Sequence, residues 1–303
     1  MLRRRSAHDA VTRLAAEILA RWPTPDPVSG APTDPEIIHD CRVATRQMRT
    51  LLDVFAPWLE RRWRQRLRRR LRKFAGALGA ARDADVFLTA TLPALQLAHS
   101  TIDWEATRAA AELRQTEMYG NAAQALFDAR HARLVRRIKR AFGIGAKGSP
   151  NLRRARALKP GRGASATGPK ALARRAVRQL RRHCDSLFPE VGQMATLSPE
   201  QLHRLRVRIK AARYATDMLS PWLRKSVCTR YLATLRTAQD LLGEVHDLGV
   251  ARQHCDTWPV LPSQREVIGH WLDSRMANLT QTAAQAVHQL PSPDALRRAI
   301  RQR

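Results

Sequence analysis

Apolar residues recur at three- and four-residue spacing along most of this 303-residue chain, and β-branched runs are scarce, so the pattern predicts an all-α protein. Residues 6–22 fit a first helix, with Ser6 as cap and Val11, Leu14, Ala15, Ile18 and Leu19 on one face. The proline-rich stretch from Pro23 to Pro32 must be a loop. Asp34-Pro35-Glu36 then predicts a helix start with proline at the first helical position. The second helix runs from Pro35 to about Phe55, and Ile37, Cys41, Ala44, Met48, Leu51, Leu52 and Phe55 form its apolar side. Pro57-Trp58 restarts the chain into a third helix, about 58–79, with Trp63, Leu67, Leu71, Phe74 and Leu78 as its seam. Gly79 is placed to end it and Asp83 to cap the next.

Helices near 83–98 and 103–142 follow, the longer one broken around Gly120-Asn121. Residues 143–170 are Gly, Ser, Pro and Arg without periodicity and read as a disordered basic linker. Beyond it come a basic amphipathic helix over 170–187 and a start at Ser198-Pro199-Glu200 that opens the helix carrying His203. A Pro221-Trp222 restart leads to a helix ending at Gly243, then to helices near 247–256 and 264–289. Ala295 to Arg303 reads as a short basic helix or a frayed end. The chain is thus one domain over 1–303, built from a first helical half (6–142), the linker (143–170) and a second helical half (171–290).

The halves say the same thing twice. Shifted by 164 residues, the segment from His39 to Val86 meets His203 to Val250 without a gap, and 15 of 48 positions are identical. That exceeds what an Arg-, Ala- and Leu-rich composition gives by chance, so the chain contains an internal repeat. The repeat pairs His39 with His203, Arg42 with Arg206, Arg49 with Arg213, Asp53 with Asp217, and Pro57-Trp58 with Pro221-Trp222. It also pairs Arg66 with Arg230, Arg72 with Arg236, and Leu78-Gly79 and Asp83 with Leu242-Gly243 and Asp247. Arg46 meets Lys210, so the charge is kept there although the residue is not.

Charge changes the picture from fold to function. Lys and Arg number 54 against 26 Asp and Glu, a formal net charge of +28. A charge of that size points to a polyanionic partner: nucleic acid, an anionic membrane or a phosphate polymer. From Ala129 to Cys184 there are 18 basic residues and no acid, and from Arg61 to Lys73 nine of thirteen residues are basic. On the second helix His39, Arg42, Arg46 and Arg49 share a sector of roughly 80°, away from the apolar face. A solvated face balanced by surface acids is the bland reading of such a stripe. Against it, the repeat keeps basic character at all three stripe positions while neighbouring positions drift.

The remaining chemistry is sparse. Cys41, Cys184, Cys228 and Cys255 lack CxxC spacing and read as buried or free thiols of a reducing compartment. His39 with Cys41, His183-Cys184 and His254-Cys255 lack the groups of a closed zinc site, and no other metal or cofactor is expected. Asp53/Asp217 and Asp83/Asp247 are read as ion-pair partners of the repeated arginines and as helix caps, respectively. There is no phosphate-cradling Gly-rich loop and no Ser-His-Asp order, so an enzyme is not expected. The basic N-terminus from Met1 to Arg5 is not followed by an apolar segment, and no run of 18 apolar residues occurs, so no membrane is expected and the cytoplasm is the default. A basic presequence is the alternative for that end.

His-x-x-Arg-Val with basic residues at the two following turns, then Leu-Gly-x-x-x-Asp, occurring twice in a helical chain, resembles the CHAD domain (conserved histidine α-helical domain). The second copy, Leu202 to Tyr214, is the closer match. The resemblance spans roughly residues 6–290 apart from the linker. It implies two helical bundles related by a pseudo-twofold axis, with basic residues of both lining a shared surface. It also implies binding of inorganic polyphosphate and association with polyphosphate granules and their other proteins. Carried over by position, the ligands of the polymer are Arg42, Arg46, Arg49, Arg206, Lys210 and Arg213, helped by His39 and His203. The repeated arginines Arg66, Arg72, Arg230 and Arg236 join this set.

Polyphosphate has no bases to read, so a row of arginine forks suits it. The competing reading is a non-specific nucleic-acid binder, equally salt-sensitive. Aromatic residues are only 5% and are not interleaved with the stripe, which leaves a stacking platform missing.

Overall fold

Capping and proline placement decide where these helices begin. In the computed structural model, which describes residues 6–23, 35–145, 151, 155–158, 168–191 and 193–288, Ser6 Oγ accepts the Asp9 N–H at 3.2 Å and opens α1 (Ala7–Ala20). Pro35 begins α2 (Pro35–Val54), and Ala56–Trp58 form a single 3-10 turn. Glu60, not Pro57-Trp58, then caps α3 (Arg61–Ala77): its carboxylate accepts the Arg62 and Trp63 N–H groups, which hold it below the usual carboxylate range. At the position 164 residues after Asp34, Ser198 and Gln201 form a capping box, Ser198 Oγ accepting Gln201 N–H at 3.3 Å and Gln201 Oε1 accepting Ser198 N–H at 2.7 Å.

The remaining helices are α4 (Gly79–Val86), α5 (Leu92–Ala98), α6 (Glu105–Phe127), α7 (Ala129–Ala141), α8 (Pro169–Val191), α9 (Pro199–Leu219), α10 (Lys225–His254) and α11 (Pro262–His288). A π-helical turn, Phe87–Thr91, joins α4 to α5. No strand occurs among the described residues, and none of the described helices is long and apolar enough to cross a membrane.

Several boundaries differ from the sequence reading. Gly79 begins α4 rather than closing α3, so Asp83 lies inside a helix rather than at its N-cap. Asp247 likewise sits within α10, which passes through Gly243 without a break. The long helix divides at Asp128, whose carboxylate accepts the Arg130 N–H at 2.7 Å, while Gly120 is an ordinary helical residue. A capping side chain sets the boundary at Asp128, whereas none of these glycines ends a helix, because a glycine removes little from a helix that tertiary packing already supports. Within the stretch expected as linker, Ala157 is buried: its N–H donates to Ala141 O at 2.8 Å and its carbonyl accepts Glu60 N–H at 2.9 Å. Most of 143–170, the loop from Thr24 to Pro32 and the tail from Ala295 lie outside the described residues.

Two compact units form. The first comprises the described residues within Met1–Arg82, Tyr119–Gln179 and Met218–Leu223. Its helix α1 packs on α2 and α7, and α2 packs on α3. Trp22, Phe74 and His131 meet at its centre. The His131 ring stacks on Phe74 at 4.7 Å, its Nδ1–H donates to Leu126 O at 2.9 Å, and its Nε2 accepts the Trp22 indole N–H at 3.1 Å. Both ring nitrogens are used, and burial lowers the pKa of this histidine. His131→Ala strands the Trp22 N–H and opens a cavity, so we expect a loss of about 2–4 kcal/mol in urea unfolding. A loss below about 1 kcal/mol would show that this cluster does not hold the unit.

The second unit comprises the described residues within Asp83–Met118, Leu180–Asp217 and Arg224–Arg303. There α10 and α11 lie along each other, and Trp258 brings its ring to 5.2 Å from Phe87 and 6.5 Å from Trp104. Trp58 and Trp222 are both buried, as core anchors should be. The four cysteines are buried and none is in a disulfide, and burial pushes the Cys41 thiol up to about 12 and Cys184 to about 11, so neither is a ready nucleophile.

Candidate functional site

The α2 helix buries Ile38, Cys41, Ala44, Thr45, Met48, Leu51 and Leu52. Ile38 takes the core place that periodicity gave to Ile37, which is half-buried. The opposite sector carries exposed His39 and half-buried Arg42, Arg46 and Arg49. Arg42 Nη1 donates to Leu78 O at 3.0 Å, a carbonyl at the end of α3, so part of this side chain holds a helix terminus. The C-terminus of α2 is held the same way, by Arg175 donating to Val54 O at 3.1 Å.

Arg49 is the centre of the first unit's cation cluster. Burial lowers its pKa, and Arg68, Arg72 and Arg46 lower it further, with Asp53 opposing them. Asp53 pairs with Arg68 at 2.6 Å and Arg64 at 3.8 Å, yet burial still raises its carboxyl. One half-buried carboxylate therefore faces three arginines, Arg49, Arg64 and Arg68. The arginines that Asp53 meets are not the repeated ones, since Cys228 and Leu232 occupy the matching positions. Asp217 makes no ion pair among the described residues. Arg72 belongs to the cluster; Arg66 does not, and lies on the other flank of α3 in a groove beside α7.

In the second unit α9 presents His203, Arg206 and Lys210 toward α10. His203 is exposed, with its ring centroid 5.0 Å from that of His246. His246 is pushed down to about 4, first by burial and then by Arg206, His203 and Lys210. His203, Arg206 and His246, but not Lys210, border a cavity of about 760 Å³ that is also lined by Glu200, Arg204, Gln253, Thr280 and Gln281. Arg213 stands apart: its Nε donates to Gln239 Oε1 at 2.8 Å and its guanidinium covers the Tyr214 ring at 4.1 Å. Arg230 and Arg236 are exposed on α10, and among the described residues no hydrogen bond or ion pair ties their side chains to His203.

Three members lie outside the set expected from the sequence. Arg64 and Arg68 were hidden in a uniformly basic helix. His246 had a visible signal, because it stands immediately before the repeated Asp247 at the position of Arg82 in the first copy. Among the described residues no group of three or more His, Cys, Asp or Glu side chains is placed to hold a metal.

The family model of the CHAD domain matches residues 13–256 of the sequence. The chain belongs to the CHAD domain family. No curated protein matches it. Among solved structures, this CHAD chain is similar to the crystal structure of the CHAD domain from the plant Ricinus communis, with a TM-score of 0.62 and 24% identity. That match covers 99% of this chain and 93% of the other. It is also similar to PptA from Streptomyces chartreusis, with a TM-score of 0.63 and 16% identity over 94% of this chain and 99% of that one. At such identities the likeness extends the CHAD assignment to the fold and leaves side-chain roles to be argued from this chain.

Proposed function

We propose that this CHAD chain binds inorganic polyphosphate through the cation clusters of α2–α3 and of α9–α10. One observation carries the reading: each cluster holds a group, Arg49 in one and His246 in the other, whose protonated form is disfavoured by burial and by neighbouring cations. Such a cluster is a region of positive potential, and a bound anion relieves it. Family membership supports the same ligand. Arginine keeps its charge at any physiological pH and can give two hydrogen bonds to phosphate oxygens.

We read the chain as a binder rather than an enzyme, acting in the cytoplasm at polyphosphate granules and alongside other granule proteins. We also take the two clusters as products of one repeat. Supporting this, helix starts coincide at a single offset: Pro199, Ser220 and Lys225 each stand 164 residues after Pro35, Ala56 and Arg61.

Competition tests the ligand. Long-chain polyphosphate bound to the full chain is expected to resist duplex DNA at equal phosphate concentration. Displacement by the duplex would make this a general polyanion binder and end the polyphosphate reading.

A further inference from the structure

The helix α3 is basic on two sides, and only one of them faces the cluster just described. At about 100° per residue, Arg64, Arg68 and Arg72 span roughly 80° on one side of the buried stripe of Leu67, Leu71 and Phe74. Arg66, Arg70 and Lys73 span roughly 60° on the other side. That second row borders a groove whose far wall is α7, where Arg133, Arg137 and Arg140 form a matching row. The groove consists of two adjoining cavities of about 440 and 1350 Å³ that share Arg70, Leu134 and Arg137. Its floor is apolar: Leu67, Leu134 and Ile138 are buried, and half-buried Trp63 stands edge-on to Phe142 at 5.5 Å.

Two facing rows of guanidinium groups repel each other, and cations four apart on one helix repel along it. Nothing within the groove offsets this. Among the described residues its lining holds one carboxylate, Asp128, which caps α7 and pairs with Arg130 at 3.7 Å. The row residues make no ion pair among the described residues. The groove is also not a product of the repeat: Thr234 and Thr237 stand where Arg70 and Lys73 do, and α7 aligns with the chain's last residues.

We propose that the α3–α7 groove is a second, separate binding site for a condensed phosphate chain, lying within the first unit on the opposite flank of α3 from Arg49. The ligand's identity rests on the polyphosphate reading above; the existence of a separate anion site does not. A chain of phosphates fits because both walls offer only cationic donors, at spacings of about one helical turn, and present no acceptor row to read a base. A polymer long enough to occupy this groove and the Arg49 cluster gains avidity that a short oligophosphate cannot.

The test uses the full chain, a short inorganic oligophosphate of defined length and long-chain polyphosphate, with stoichiometry read by titration calorimetry. The Arg70→Ala/Arg137→Ala/Arg140→Ala variant is expected to lose one oligophosphate equivalent and to bind the long chain on the order of tenfold more weakly. Lysine at the same three positions should restore the lost equivalent. If the alanine variant loses helicity, Arg137→Gln alone reports the same weakening from an exposed position. Unchanged stoichiometry in the groove variant, alongside lost binding when Arg46, Arg49, Arg206 and Lys210 are replaced, overturns the groove and leaves the proposed function standing. A wild-type chain that binds neither phosphate probe overturns both.

Discussion

Replacing Arg46, Arg49, Arg206 and Lys210 together by alanine is expected to weaken binding of long-chain polyphosphate by at least about 100-fold while the far-ultraviolet circular dichroism stays that of the wild type. A hydrogen bond to a charged group contributes roughly 1.5–3 kcal/mol, so the loss of even two phosphate contacts reaches about 3 kcal/mol, or about two decades in Kd. The helices should survive because α2 is anchored by its opposite face, where Met48, Leu51 and Leu52 are fully buried. Arg42 is left in place on purpose: it holds the Leu78 carbonyl, and its removal would mix a stability effect into the binding measurement. Unchanged affinity in the quadruple variant would move the binding site to the basic segment from Ala129 to Cys184.

The second large effect is a pH dependence set by His246. In the free protein its pKa lies at about 4, held there by burial and by Arg206, His203 and Lys210 on α9. The part of α11 that borders the same cavity, Met276, Ala277, Thr280 and Gln281, is uncharged. A bound phosphate chain reverses the local potential and raises the pKa, so protonation and binding assist each other. If the pKa returns to about 6.5 in the complex, affinity rises on the order of tenfold between pH 7 and pH 5. Folding stability has the opposite sign. Because the native pKa lies below the unfolded value, the neutral form's contribution is complete above about pH 6.5 and is lost as pH falls toward 4. His246→Gln should flatten both profiles. Titration calorimetry at several pH values reads the first and thermal unfolding without ligand reads the second; a His246→Gln binding profile as steep as wild type would remove this residue from the site.

Periodicity was enough for the helix types and for most of the core, since an apolar stripe must be buried whatever it packs against. It failed by one residue at Ile37 and Ile38: at about 100° per residue Ile37 falls mid-stripe and Ile38 at its edge, yet in the first turn of α2 it is Ile38 that is fully buried. It failed at Gly79, Gly120 and Gly243, where glycine was read as a stop although α3, α4 and α10 end or continue according to caps and tertiary contacts. The α2 and α9 stripes were visible because their charges alternate with an apolar face. On α3 nearly every exposed position is arginine; helical spacing divides them into two flanks, but nothing in the sequence says which flank meets Asp53 and which faces α7. His246 was missed for another reason: it joins its site through packing of α10 against α9, and the sequence separation from His203 hides that.

The same crowding on α3 has a thermodynamic consequence. Nine cations among thirteen consecutive residues make a helix that repels itself, and Glu60 and Asp53 offset only a small part of that. An anion that binds either flank of the native helix more tightly than it binds the unfolded chain stabilises the fold by mass action, by at most about 2.7 kcal/mol when free ligand stands 100-fold above Kd. On the proposed function, the cations that crowd α3 are also the groups that would hold the ligand. Polyphosphate would then act on this chain as a folding partner, and the loaded protein should melt at the higher temperature.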